Sequence, residues 1–210
     1  AQSYHGGNAD RLWPLEIQQA CLEVIRLATA LGIIVIEACG NGNTLRGQGI
    51  NLDLFELNGK TIFNIESDGF KDSGAIIVAA ATLNTLHERV RYSNYGSRIN
   101  CYAWGEGVAA FEHIQADGKL KTCMRKLNGT SSAAAIIAGA TLAVQSVLEA
   151  GYNIRLSPKQ MRYVLSNDLY GTASAAGRAK DKIGVMPDLK RIIDNFLRVI
   201  IEEKENEYPV

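Results

Sequence analysis

The chain has 210 residues, 47% of them hydrophobic and 21% charged, enough for one substantial core in a single globular domain spanning residues 1–210. Its 22 Lys+Arg balance its 22 Asp+Glu, so no overall field draws it to nucleic acid or to an anionic membrane. No apolar run reads as a membrane span, because Asn, Gln, Glu or Gly interrupts each one, and the first residues, Ala-Gln-Ser-Tyr-His-Gly-Gly, lack the basic and apolar parts of a secretory signal.

In chain order, residues 14–30 read as a helix: Leu15, Cys21, Leu22, Ile25 and Ala28 share a face, Pro14 suits the first turn and Gly32 ends it. Ile33-Ile34-Val35-Ile36 is a short β-branched run typical of a strand buried on both faces. Helix then strand is half of a βαβ unit, so the expected preceding strand lies at or before Ala1 and the domain reads as truncated at its N-terminal edge. Residues 42–72 are polar and loop-like, with a short strand expected over 61–65. Residues 75–80 form a second buried strand, and 89–95 and 99–104 are shorter extended segments around Gly96-Ser97. Residues 109–113 and 120–124 flank Ala116-Asp117-Gly118, a hairpin signal. Residues 131–150 are an Ala-rich helix; Ser157-Pro158 opens another, with Ser as cap. Met186-Pro187-Asp188 is expected to start a last helix with an apolar stripe from Leu189 through Ile192, Ile193, Phe196, Leu197 and Ile200, before a frayed Glu-rich tail. The basic groups at 119–126 and 178–182 read as solvated loop charges.

The four cysteines, Cys21, Cys39, Cys101 and Cys123, show no CxxC pair and no metal-ligand spacing. Cys21 and Cys39 suit buried thiols, and Cys101 and Cys123 meet only if their segments pair. Reduced thiols are the default and favour a cytoplasmic compartment.

Two segments carry chemistry. Asn128-Gly129-Thr130-Ser131-Ser132-Ala133 delivers a serine to the first turn of a long helix, where free N–H groups and the positive dipole end favour an anion. That suits acyl transfer by Ser131, although Thr130 or Ser131 as a simple helix cap explains the same residues. Glu37-Ala38-Cys39-Gly40-Asn41-Gly42 follows the first strand and aims an Asn into a crevice at a strand end, or simply makes a tight turn. Glu37, inside an apolar run, is a satisfied buried carboxylate or a pocket acid, the former preferred.

Four segments in order, Gly32–Gly42 (GIIVIEACGNG), Ser73–Ala81 (SGAIIVAAA), Arg91–Gly105 (RYSNYGSRINCYAWG) and Asn128–Ala140 (NGTSSAAAIIAGA), resemble the subtilisin-like serine proteases, the subtilases. The resemblance implies an α/β fold with a mostly parallel sheet flanked by helices. It puts Asn41 on the family's oxyanion asparagine and Ser131 on its nucleophile. It further implies that Ala38 and Gly40 wall a substrate pocket, and that Ser3 and Gly6, in the Gln2–Gly7 stretch, lie where substrate backbone pairs. The implied activity is serine endopeptidase through an acyl-enzyme, with a peptide or protein as substrate. It needs no cofactor; calcium stabilises many members, but no ligand cluster in this sequence locates one.

Two departures stand out. The family's Asp and His motifs lie upstream of the segment resembled, and His5, His87 and His113 match neither in context; His5 reads as an ordinary loop histidine, His87 and His113 as surface residues. Ala134-Ala135 replaces the usual Ser/Thr-Pro. The expected catalytic form is therefore a larger parent, with the missing N-terminal part as partner and this chain alone inactive. The alternative is a subtilase-like module that binds peptides or proteins without cutting them. A GxSxG esterase fails because no histidine follows Ser131, and a phosphate loop fails because the glycines lack the required spacing and the Gly-Lys-Ser/Thr end.

Overall fold

Ile76 to Ala81, six small or β-branched residues with no exposed face, form the central strand of the computed structural model, which describes residues 10–116 and 118–195. In chain order the strands are β1 (Arg11–Leu12), β2 (Ile36–Ala38), β3 (Gly42–Asn43), β4 (Glu56–Leu57), β5 (Lys60–Thr61), β6 (Ile76–Ala81), β7 (Cys101–Trp104), β8 (Val108–Ala116), β9 (Lys119–Leu127), β10 (Gly171–Ala173) and β11 (Val185–Pro187). The helices are α1 (Gln19–Ala30), α2 (Thr130–Tyr152), α3 (Pro158–Ser166), α4 (Arg178–Asp181) and α5 (189–195).

The main sheet has the order β10-β11-β7-β6-β2. Its β2–β6, β6–β7 and β7–β11 pairs are parallel and only β10–β11 is antiparallel. The expected α/β architecture with a mostly parallel, helix-flanked sheet is what the chain adopts. One face of the sheet packs Ala38, Val78, Ala80 and Ala103 against Ala133, Ala134, Ile137 and Val144 of α2 and Met161 and Leu165 of α3. The small residues on both sides let α2 approach the strands closely. The other face buries Ile77, Ala79 and Tyr102 against Trp13, Ile17, Leu52 and Phe63 from the segments around it.

Local chemistry sets the element ends. Ser157 and Gln160 form a reciprocal capping box with Pro158 in the first turn of α3, and Asn153 closes α2 in the left-handed conformation. Several expectations change. The first strand begins at Ile36, not Ile33, because pairing runs from Ile36↔Ile76 to Ala38↔Val78 and register outranks β-branching. Met186 and Pro187 end strand β11, so the last helix starts after them. Of the short strand expected over 61–65 only Thr61 is extended, as the end of β5 paired with β4 in a small ribbon, and 62–65 form a turn instead. Residues 119–126 belong to a strand, not to a loop, and Lys182 pairs with Asp53 at 2.7 Å. All four cysteines are free thiols, with Cys101 buried inside the sheet. At 23 residues, with a window of mean hydropathy 1.6, α2 is long and apolar enough to cross a membrane. Gly139 and Gln145 interrupt it too little to lower that average, but its buried stripe lies on the sheet as a core helix does. Phe196, Leu197, Ile200 and the tail lie outside the described residues.

Candidate active site

The C-terminal ends of parallel strands share one edge of a sheet, where α/β proteins gather their ligands. Here that edge receives Gly40-Asn41 after β2, Gly105 after β7 and the entry to α2. Gly129 links them: its N–H reaches Gly105 O at 2.8 Å and the Tyr92 hydroxyl at 2.9 Å. Tyr92 Oη in turn donates to Gly105 O. Burial pushes the Tyr92 phenol up to about 12, so it stays a neutral donor.

Gly129, at φ +134°, is the N-cap of α2 and has no side chain with which to cap it. The simple cap reading for Thr130 and Ser131 therefore fails. Thr130 is buried, and both its N–H and its hydroxyl donate to Asn41 Oδ1 at 2.9 Å. With its oxygen committed, the Asn41 carboxamide presents Nδ2 to the open side of Gly129. A Cβ added at Gly129 would lie 3.4 Å from Asn41 Nδ2, 3.1 Å from Ser131 Oγ and 3.8 Å from Ser131 N. Two donors and one hydroxyl thus converge on one small space at a helix N-terminus, and Ser131 is exposed there.

The Asn41 turn is itself braced. Gly40, at φ +93°, sits where a Cβ would come within 2.3 Å of Leu12 O. Asn94 Nδ2 donates to Leu12 O at 2.9 Å and Cys39 O at 2.7 Å, while its Oδ1 accepts from Ile50 N at 2.9 Å. Tyr92 and Asn94, unlike Asn41 and Ser131, stand in no motif of their own. Both lie in the RYSNYG segment, whose polar residues amid otherwise extended sequence were the available signal.

A family model described as the subtilase family matches residues 6–185. The chain belongs to the subtilase family. Among solved structures its fold resembles a protease from Pseudoalteromonas arctica PAMC 21717, at 18% identity and TM-score 0.56, over 84% of this chain and 47% of that one. It also resembles the PatG macrocyclase in complex with peptide (14%, TM-score 0.55, 84% and 46%) and a lanthipeptide protease (16%, TM-score 0.56, 86% and 57%). At such identities the likeness is one of fold, and the chain spans about half the length of these structures. No curated protein matches it.

In this subtilase chain Ala38 is 2% exposed in the core and Gly40 is buried against Leu12 and Asn94, so both shape the turn from beneath. Ser3, Gly6 and His5 lie outside the described residues. His87 rests beside the rings of Tyr102 and Trp104 with its Nδ1 unpartnered, and His113 pairs with Thr122 at 3.0 Å. Among the described residues no group of three His, Cys, Asp or Glu is placed to hold a metal ion.

Glu37 is neither exposed nor fully satisfied. Its Oε1 accepts from Glu16 N at 3.0 Å and its Oε2 has no partner among the described residues. The buried Arg98 guanidinium serves Glu16, at 2.9 and 3.1 Å. Burial, and then the Glu16 charge, raise the Glu37 carboxyl to about 8, so at neutral pH it is mainly an uncharged acid.

Proposed function

We propose that this chain supplies the nucleophile and the oxyanion donors of a serine endopeptidase. The observation that carries the reading is the convergence of Ser131 Oγ, Asn41 Nδ2 and Ser131 N beside Gly129. Ser131 Oγ attacks a peptide carbonyl, and the carbonyl oxygen gains negative charge as the tetrahedral adduct forms. The Ser131 N–H and the Asn41 amide stabilise that charge. The two hydrogen bonds from Thr130 hold the amide ready, so little reorganisation accompanies the reaction. Collapse of the adduct expels the amine and leaves an acyl-enzyme, which water then hydrolyses. Loss of one such donor costs roughly 10²–10³ in turnover, a magnitude measured on a subtilase itself.

A neutral hydroxyl needs a proton acceptor in reach. In this reading the acceptor and its orienting acid come from the remainder of a larger parent, packed against β2, the edge strand of the sheet among the described residues. Peptide or protein chains are the substrates, and the isolated 210 residues show negligible turnover. The test is labelling of the parent by a fluorophosphonate. Ser131 is the expected site and Ser131→Ala the variant that escapes. Labelling that persists in Ser131→Ala removes the serine from its role.

The second reading is a peptide-binding module without turnover. The observation favouring it is that His87 and His113 make their contacts elsewhere. A parent that never labels at Ser131 yet binds peptide would decide for it.

A further inference from the structure

The two strands of the hairpin, β8 and β9, pair over their whole length, from Val108↔Leu127 to Ala116↔Lys119, and join no other sheet. Nine residues per strand make a ribbon about 30 Å long. A lone two-stranded ribbon is marginal in water and normally carries its apolar residues against something. This one does not. Phe111 and Met124, directly opposite each other, are 79% and 69% exposed, and Leu120 on the same face is 73% exposed. By the alternation of strands, Lys126 shares that face, one pair nearer the root. Over residues 108–127 the sequence holds four basic residues, Lys119, Lys121, Arg125 and Lys126, and two acids, Glu112 and Asp117; Glu112 pairs with Arg125.

The root of the ribbon is tied to the candidate site. Gly107 N–H donates to Asn128 Oδ1 at 2.7 Å, and Leu127 is four residues from Ser131. The root of the ribbon is therefore continuous with the nucleophile loop.

We infer that the β8–β9 hairpin is a substrate-binding arm that captures an extended, acidic segment of the polypeptide substrate carrying large apolar side chains. The inference rests on the reading of Ser131 as a nucleophile for its word "substrate". Three features select this occupant. Phe111, Met124 and Leu120 offer apolar contacts along one face. Lys126, on that face and exposed, complements acidic side chains. The ribbon's outer edges, unpaired among the described residues, offer main-chain hydrogen bonds to an extended chain. The continuity of the arm with the Asn128–Ser131 loop favours a polypeptide entering the site over a lipid surface or a second copy.

The test is fluorescence anisotropy of the chain with a labelled peptide alternating Glu with Phe or Leu, set against the same peptide with Lys for Glu. Saturable binding of the acidic peptide alone is expected, weakening as salt is raised. Phe111→Ser and Lys126→Glu should each weaken it by about tenfold. Their thermal midpoints should stay at the parent value, since these side chains are exposed. Absence of saturable binding, equal binding of the Lys peptide, or binding untouched by both variants overturns the inference. So does light scattering in which Phe111→Ser merely dissolves a dimer, or loss of binding to anionic vesicles with peptide binding unchanged. Peptide binding is read independently of Ser131 labelling, so failure of the arm and failure of the nucleophile are distinguishable.

Discussion

The turn around Asn41 and the β8–β9 hairpin are neighbours built in opposite ways. In the turn, the supporting polar groups are committed: Asn94 staples three backbone groups, Thr130 occupies the Asn41 oxygen and Tyr92 bridges Gly105 and Gly129. In the hairpin, backbone pairs with backbone while the large side chains face solvent. Chemistry needs donors that do not move, and recognition of varied chains tolerates a surface that does. Rigidity is thus concentrated where charge is to be stabilised.

Glycine substitutions break the comparison most sharply. Gly40→Ala must fit a Cβ 2.3 Å from a carbonyl oxygen at φ +93°, and should cost about 2–4 kcal/mol in urea unfolding. Gly118→Ala, at φ +70° with open space around it, should cost about 1 kcal/mol. Equal losses would mean the turn is no more constrained than the hairpin tip. Tyr92→Phe should cost about 1 kcal/mol, because Gly129 N–H keeps its bond to Gly105 O and loses only the hydroxyl. In a parent that labels, the same variant should slow fluorophosphonate labelling, whereas hairpin variants should leave that rate alone.

The pH dependence of stability is a separate test, on the core beneath both regions. Folded Glu37 keeps its proton to about pH 8, whereas the unfolded residue loses it near 4.5. The native state therefore binds more protons between those values, and this contribution to stability falls as pH rises from 4.5 to 8. Glu37→Gln should flatten that slope. Asp72 acts at the other end: its hydrogen bonds to Arg162 hold it down to about 2, so its contribution is present above 3.8 and lost as pH falls toward 2. Urea midpoints measured across pH read both. A slope that survives Glu37→Gln would remove Glu37 as its source.

What could be read in the sequence follows from how local each signal is. The Ser157-Pro158 start and the hairpin around 116–118 rest on neighbours in sequence, and both formed where expected. The Gly-Asn-Gly and Asn-Gly-Thr-Ser segments were visible as motifs. Their meeting was legible only through family resemblance, since Asn41 and Thr130 lie 89 residues apart. Strands β10 and β11 were missed because three residues each leave no alternation to read, and Pro187 signals a helix start as readily as a strand end. Tyr92 and Asn94 were missed because their partners lie 13 to 37 and 44 to 82 residues away. Exposure of Phe111 and Met124 was equally hidden: alternation fixes which residues share a face, not whether a layer covers it.

Asn128 closes the base of the hairpin by bonding Gly107, and Val108 already stands opposite Leu127, so the two ends of the ribbon are about 5 Å apart. The arm is for that reason a detachable module. Excising it and joining its ends through a tight turn leaves the nucleophile loop closed. Lengthening it or recolouring its face disturbs no core contact. Such a joint lets the choice of what is held drift in evolution while the machinery beneath it stays fixed.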